Sequence, residues 1–183
     1  MDDEEARTRL LDAAEELFYA EGIQAVGMDR IRERSGVPLK RLYRLFPAKD
    51  ALVAGYLERR DRRWLASLRD AATGAPDPVA AVFDWLAEWF AEPGFRGCAF
   101  LNAAGELGAG APAVVQRHKA ELRSLLAELA GSAELAEDLL ILVEGATAVA
   151  SLTPGPAPAH RARALAALAT AAAGRAVRPA GAR

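Results

Sequence analysis

The sequence predicts an all-α fold of about nine helices, with three short N-terminal helices followed by a C-terminal helical bundle. Two observations carry that expectation. Apolar residues recur at helical spacing along almost the whole chain, as in Leu10, Ala14, Leu17 and Phe18. Sustained apolar–polar alternation is missing, as are the Asn-Gly and Asp-Gly pairs that mark tight hairpins.

Taken in order, the first helix ends at Gly22. A short segment, Met28 to Ser35, follows and stops at Gly36. A second short segment runs from Pro38 to Phe46 and ends at Pro47. A long helix is expected from Lys49 to Thr73, broken by Gly74-Ala75-Pro76-Asp77-Pro78. Pro78 suits the first turn of the next helix, where its missing N–H would have no partner anyway. That helix carries Val79, Val82, Phe83, Leu86 and Phe90 on one face and ends at Glu92-Pro93-Gly94. A short helix from Phe100 to Leu107 leads into a loop, Gly108-Ala109-Gly110-Ala111. Pro112 is expected to open a helix with Val115, His118, Leu122, Leu125 and Leu129 on one stripe. Gly131-Ser132 separates it from a helix over Ala133 to Leu152. After Pro154, Pro156 and Pro158, an alanine-rich helix covers Ala157 to Ala173, and the tail 178–183 is expected to be disordered.

Composition narrows the function classes. The chain is 52% hydrophobic and 26% charged, ordinary for a soluble globular protein. Its net charge of −2 argues against a uniformly basic coat for nucleic acid, so charge has to be read by segment. The single cysteine, Cys98, can form no internal disulfide. The start, Met1-Asp2-Asp3-Glu4-Glu5, is acidic where a secretory signal would be basic, and no apolar run approaches the ~20 residues that span a bilayer. A cytoplasmic protein is expected. The two histidines, His118 and His160, are far apart, so no metal-spaced ligand set forms. Neither a phosphate-cradling glycine loop nor a nucleophile elbow occurs, and no catalytic residue, metal or cofactor is assigned.

The N-terminal segments carry the informative chemistry. Ile31-Arg32-Glu33-Arg34-Ser35-Gly36-Val37 reads as two helices joined by a tight turn, a helix-turn-helix whose second helix would enter the major groove. Gly36 suits the turn because glycine takes positive φ without steric penalty. Ile31, Val37, Leu42 and Phe46 are the apolar pins expected to hold the pair against the first helix. Charge segregates as well. From Arg30 to Lys49 there are seven basic residues and one acid, a balance of +6; from Asp2 to Glu21 there are eight acids and two arginines, a balance of −6. A basic face within a near-neutral chain is the electrostatic footprint of a duplex binder.

The stretch Gly22 to Leu52 resembles the DNA-binding domain of the TetR family of repressors. The matching positions are Gly22, Ile31, Gly36-Val37, Leu42-Tyr43, Phe46, Lys49 and Leu52. The segment Gly97 to Glu106 resembles one subgroup of that family. The resemblance implies a helix-turn-helix domain over 1–48 and a ligand-binding and dimerisation domain over 49–177. It also implies phosphate contacts from Tyr43 and Lys49, with Pro38, Leu39, Lys40, Arg41 and Arg44 on or beside the recognition helix. Four positions depart from the family pattern. Gly27 stands where a capping Thr or Ser is common and can cap only through its backbone. Lys40 replaces a common glycine, and Leu45 a common histidine or tyrosine. Arg32 replaces a common alanine and could supply a substitute phosphate contact.

The family also implies an effector pocket and a dimer interface in the remainder of the chain. Apolar cavities with a few polar groups suit small ligands. Trp85, Trp89 and Phe100 are the aromatic candidates, and Asn102, Glu106, His118, Thr147 and Glu144 the polar ones. Core packing is the alternative role for each aromatic and for His118. The helix from Ala133 to Leu152 is apolar on two stripes: Leu135, Leu139, Leu142 and Val149, and Leu140, Val143, Thr147 and Ala150. A helix apolar nearly all round needs partners on both sides. With Leu165 and Leu168 of the last helix, Leu142 and Val149 are the candidate homodimer contacts. The expected protein is thus a regulator, a repressor released from palindromic double-stranded DNA by a small, largely apolar effector. The alternatives are a helical ligand-binding or protein-interaction module without DNA binding, and a small helical enzyme using Glu106 and His118 as an acid–base pair.

Overall fold

The structure, a computed structural model, describes residues 1–176; the tail 178–183 lies outside them. Among the described residues there are nine α-helices and no strand: α1 (Asp3–Glu21), α2 (Met28–Ser35), α3 (Leu39–Leu45), α4 (Lys49–Ala72), α5 (Pro78–Phe90), α6 (Ala99–Leu107), α7 (Val114–Ala130), α8 (Ala133–Leu152) and α9 (Ala157–Ala176). None of them is long and apolar enough to cross a membrane.

Local chemistry sets the boundaries. Asp2 caps α1 by accepting the N–H of Glu5 at 2.8 Å, and Asp77 and Ser132 cap α5 and α8 in the same way. Two expected boundaries move. Gly108–Gly110 forms a single 3-10 turn where a loop was expected. Helix α7 begins at Val114 rather than at Pro112, because the Pro112 carbonyl accepts from Val115 three residues on, a tighter turn than the α-helix.

The chain packs as two compact units, each with its own core. The first comprises Met1–Arg63 and Cys98–His118, the second Trp64–Gly97 and, among the described residues, 119–176. In the first, α1 packs on α2 and α3. Its core gathers Leu10, Phe18, Ile31, Val37, Leu42, Phe46, Leu52, Tyr56 and Phe100, all buried. At about 1.5–3 kcal/mol for each large side chain fully buried, these residues dominate the stability of the unit. In the second unit α9 packs against both α5 and α8 over Leu68, Phe83, Leu86, Phe90, Leu126, Leu139, Val143, Ala159 and Ala166. Helix α4 is continuous across the boundary between Arg63 and Trp64.

The face of α8 that enters the core mixes the two expected stripes: Leu135, Ala136, Leu139, Val143, Ala146, Thr147 and Ala150 are buried. Val149 is exposed instead, and Leu142 and Leu140 are half-buried. The sequence did not single out Ile141 and Leu152, which are 71% and 87% exposed.

Candidate nucleic-acid interface

The interface is built on two glycine stops. Gly22 ends α1 at φ 95°, its N–H donating to the Phe18 carbonyl. Gly36 ends α2 in the left-handed region at φ 67°, its N–H donating to the Arg32 carbonyl. The turn is locked by Ser35, whose hydroxyl donates to the Arg32 carbonyl and accepts from the Val37 N–H. Ile31, Val37, Leu42 and Phe46 are all buried in the first core and fix α3 against α1.

The opposite side of α3 faces out. Pro38, Lys40, Arg41, Tyr43 and Arg44 line one concave patch of about 710 Å³. Leu39 and Tyr43, four residues apart and so on one side of the helix, are 45% and 46% exposed, which a core role for either does not explain. Gly27 caps α2 without a side-chain bond, at an exposed position with open space around it. Arg32 is half-buried, with Glu33 at 3.9 Å. Lys49 opens α4 with its ammonium 5.9 Å from the centre of the Phe18 ring.

The basic segment is not a free basic face, which corrects the reading from charge totals. The acids of α1 and the arginines of α2 and α3 face one another. Arg30 forms a two-bond pair with Glu21, and Arg34 pairs with Glu16 at 2.6 Å. Hydrogen bonding to Arg30 holds the Glu21 carboxyl below its ordinary value, and the partnering carboxylates push Arg30 and Arg34 up. Arg44 pairs with Asp3, and Arg41 donates to the Met1 carbonyl at 2.7 Å with Asp3 3.7 Å away. Behind them, Glu15 gathers Arg59, Arg60 and Arg63 of α4, and Arg59 also reaches Asp12 at 2.7 Å.

The effector candidates divide between the units. In the first, Phe100 and His118 stack at 3.7 Å, almost parallel, and His118 Nδ1 lies 2.7 Å from Oδ1 of buried Asp61, within hydrogen-bond distance. Burial pushes the Asp61 carboxyl up, against the pull of Arg117 and Arg62. Glu106 does not pair with His118, as an acid–base pair would require. Its carboxylate accepts the Gln24 N–H at 2.8 Å, and its carbonyl accepts the Gln24 side-chain amide. Asn102 is exposed on α6. In the second unit Trp64, Trp85 and Trp89 form a cluster with ring centres 5.0–5.8 Å apart, and Trp85 donates to Ser67. Thr147 is buried and returns its hydroxyl to the Val143 carbonyl; Glu144 pairs with Lys119 at 2.6 Å. Asp61 escaped sequence reading because a carboxylate 57 residues from His118 gives no local signal. Leu142, Val149 and Leu165 line an apolar groove of about 880 Å³ between α8 and α9, with Ile141 and His160; Leu168 is 68% exposed nearby on α9.

An all-helical chain that presents a solvent-facing recognition helix on a glycine-stopped turn is a helix-turn-helix DNA-binding protein. Comparison with known proteins specifies it further. The family model of bacterial regulatory proteins of the tetR family matches residues 10–56. A TetR-family transcriptional regulator from Streptomyces coelicolor superposes with a TM-score of 0.84 at 34% identity, over 91% of this chain and 95% of that one. The regulatory protein TetR from Rhodobacter sphaeroides superposes at 0.76 with 27% identity, over 88% and 96% of the two chains. The transcriptional activator FasR from Mycolicibacterium smegmatis is 34% identical over 90 residues, 45% of this chain but only 41% of FasR. The chain belongs to the TetR family of transcriptional regulators.

Proposed function

We propose that the protein is a repressor that binds a palindromic operator as a homodimer and leaves it when a small, largely apolar effector binds. One observation carries the DNA-binding part: Pro38, Lys40, Arg41, Tyr43 and Arg44 converge on a single solvent-facing patch of α3. Lys and Arg neutralise phosphates, and an Arg can also grip O6 and N7 of guanine. Exposed Leu39 is suited to a thymine methyl. In this reading residues 1–48 engage DNA, while 49–177 hold the effector and dimerise.

The dimer reading is supported by apolar surface with nothing over it. Leu142, Val149, Leu165 and Leu168, joined by Ile141 and Leu152, offer α8 and α9 to a two-fold partner. Effector recognition is assigned to candidates within each unit: Trp85 or Trp89 in the second, and Phe100, with Asn102 or His118, in the first. Glu106, bonded to Gln24, Thr147, bonded to the Val143 carbonyl, and His118, paired with Asp61, would reach an effector only by exchanging those partners. Control follows from differential affinity: an effector releases DNA only if it binds better to a dimer whose recognition helices are wrongly spaced. Helix α4, running from the DNA-binding segment into the second unit, is the mechanical link. Selection of bound duplexes from a random pool with the purified protein tests the reading. It should return an inverted repeat with half-sites about 34–36 Å apart. Recovery of no enriched sequence would leave the interaction-module alternative standing.

A further inference from the structure

The arginines best placed to read DNA are already bound to carboxylate and carbonyl oxygens of their own chain. Arg44 pairs with Asp3, while Arg41 donates to the Met1 carbonyl and keeps Asp3 at 3.7 Å. The first turns of α1 that carry these acceptors are held in place. Arg7 lies 4.7 Å over the Phe46 ring and donates to the Leu45 carbonyl, tying α1 to the end of α3. The Asp2 cap fixes the helix start, so the Asp3 carboxylate is presented by a rigid element. The Arg30–Glu21 and Arg34–Glu16 pairs lie elsewhere along α1 and hold α2. The Asp3 pairs, by contrast, engage two residues that line the α3 patch. Arg41 and Arg44 cannot bind Asp3 and grip a phosphate or guanine with the same N–H groups.

We infer that Asp3 is an intramolecular competitor of DNA, an acid seated on the recognition helix that the operator must displace before Arg41 and Arg44 can engage it. This rests on the DNA-binding reading above and adds a device that sets its strength. Its consequence for salt runs against the usual one. Salt weakens arginine–phosphate contacts, but it also screens the exposed Asp3 pairs, so Asp3 makes the protein's DNA affinity less salt-sensitive than its arginines alone would.

The test is a fluorescence-anisotropy titration of the full chain against the duplex recovered by selection and an unrelated duplex of equal length, over a series of NaCl concentrations. Asp3→Asn should bind both duplexes more tightly, by about 2- to 5-fold at low salt, the range exposed ion pairs command. The gain on the unrelated duplex should be no larger than on the selected one, and both should shrink towards unity as salt rises. Glu4→Gln removes an equal charge one residue away and leaves the Asp3 pairs in place, so its effect should be smaller. In an Arg41→Ala/Arg44→Ala background, Asp3→Asn should have no more effect than Glu4→Gln. Circular dichroism on every variant confirms that helix content is retained. Asp3→Asn binding that is unchanged, or weaker, overturns the inference, the latter by showing that Asp3 braces the arginines for DNA. A gain that survives loss of both arginines also overturns it, because the effect would then be a general field. If the wild-type chain binds neither duplex, the DNA-binding reading itself fails.

Discussion

Alanine at Gly22 should destabilise the first unit more than alanine at Gly36, although both glycines have positive φ. At Gly36 the backbone lies in the left-handed helical region, φ 67° and ψ 13°, and an added Cβ meets nothing within 4 Å. The cost there is backbone strain alone, about 1–2 kcal/mol. Stiffening of the unfolded chain offsets about 0.4–1 kcal/mol of it. At Gly22 the backbone has φ 95° and ψ 150°, a region essentially reserved for glycine, where strain costs about 1–3 kcal/mol. The added Cβ would also stand 3.1 Å from Oε2 of Glu106, the same oxygen that accepts the Gln24 N–H. Moving that carboxylate away sacrifices a hydrogen bond worth about 1 kcal/mol. With the same unfolded-state offset applied to both, the expected losses are about 1–3.5 kcal/mol at Gly22 and about 0–1.5 kcal/mol at Gly36. Urea unfolding followed by circular dichroism measures both. In a Glu106→Ala background the Gly22 penalty should shrink but not vanish. Equal penalties at the two glycines would refute the reasoning.

Leu168→Glu should convert a dimer to monomers, since it would place an unpaired charge in a desolvated contact; light scattering showing a wild-type monomer at micromolar concentration refutes the interface. Burial raises the Asp61 carboxyl. The folded state therefore holds more protons than the unfolded chain between the unfolded carboxylate value, about 3.9, and the raised folded one. That contribution to stability is complete below this window and is lost as pH rises through it. Asparagine at 61 keeps an acceptor for His118 and removes the charge, so wild-type stability relative to Asp61→Asn should fall as pH rises above the ordinary carboxylate value, about 3.9; a difference that grows with pH contradicts this. For an effector, reciprocity requires that operator DNA weaken its binding by the factor with which it weakens operator binding, about 5- to 150-fold. The three tryptophans of the chain are Trp64, Trp85 and Trp89, so intrinsic fluorescence reads that cluster directly, and equal effector affinity with and without operator rejects the compound.

Elements of the fold whose cause is local were legible in the sequence. Gly22 and Gly36 stop their helices through their own positive φ, and Ile31, Val37, Leu42 and Phe46 stand out as apolar residues in an otherwise basic segment. What depends on tertiary pairing was not legible. The opposite charges of α1 and of the α2–α3 segment were visible as totals, but not that Glu21 meets Arg30, Glu16 meets Arg34 and Asp3 meets Arg44. His118 showed its apolar stripe, and its partner Asp61 lay 57 residues away, beyond α5 and α6, with nothing to announce it. On α8 the two apolar stripes were evident, but the packing of α9 decides which positions are buried, and this leaves Ile141 and Leu152 on the surface.

The central claim is that α3 is the DNA-reading element, and Arg41→Ala tests it most directly. Arg41 lines the recognition patch and its side chain is not part of either core. An anisotropy titration of the selected duplex with wild-type protein and Arg41→Ala decides the matter. Helix content should be unchanged, and operator affinity should fall by about 1–3 kcal/mol, concentrated at one base position of each half-site if Arg41 grips guanine. Identical affinity for the wild type and the variant at every position would contradict it.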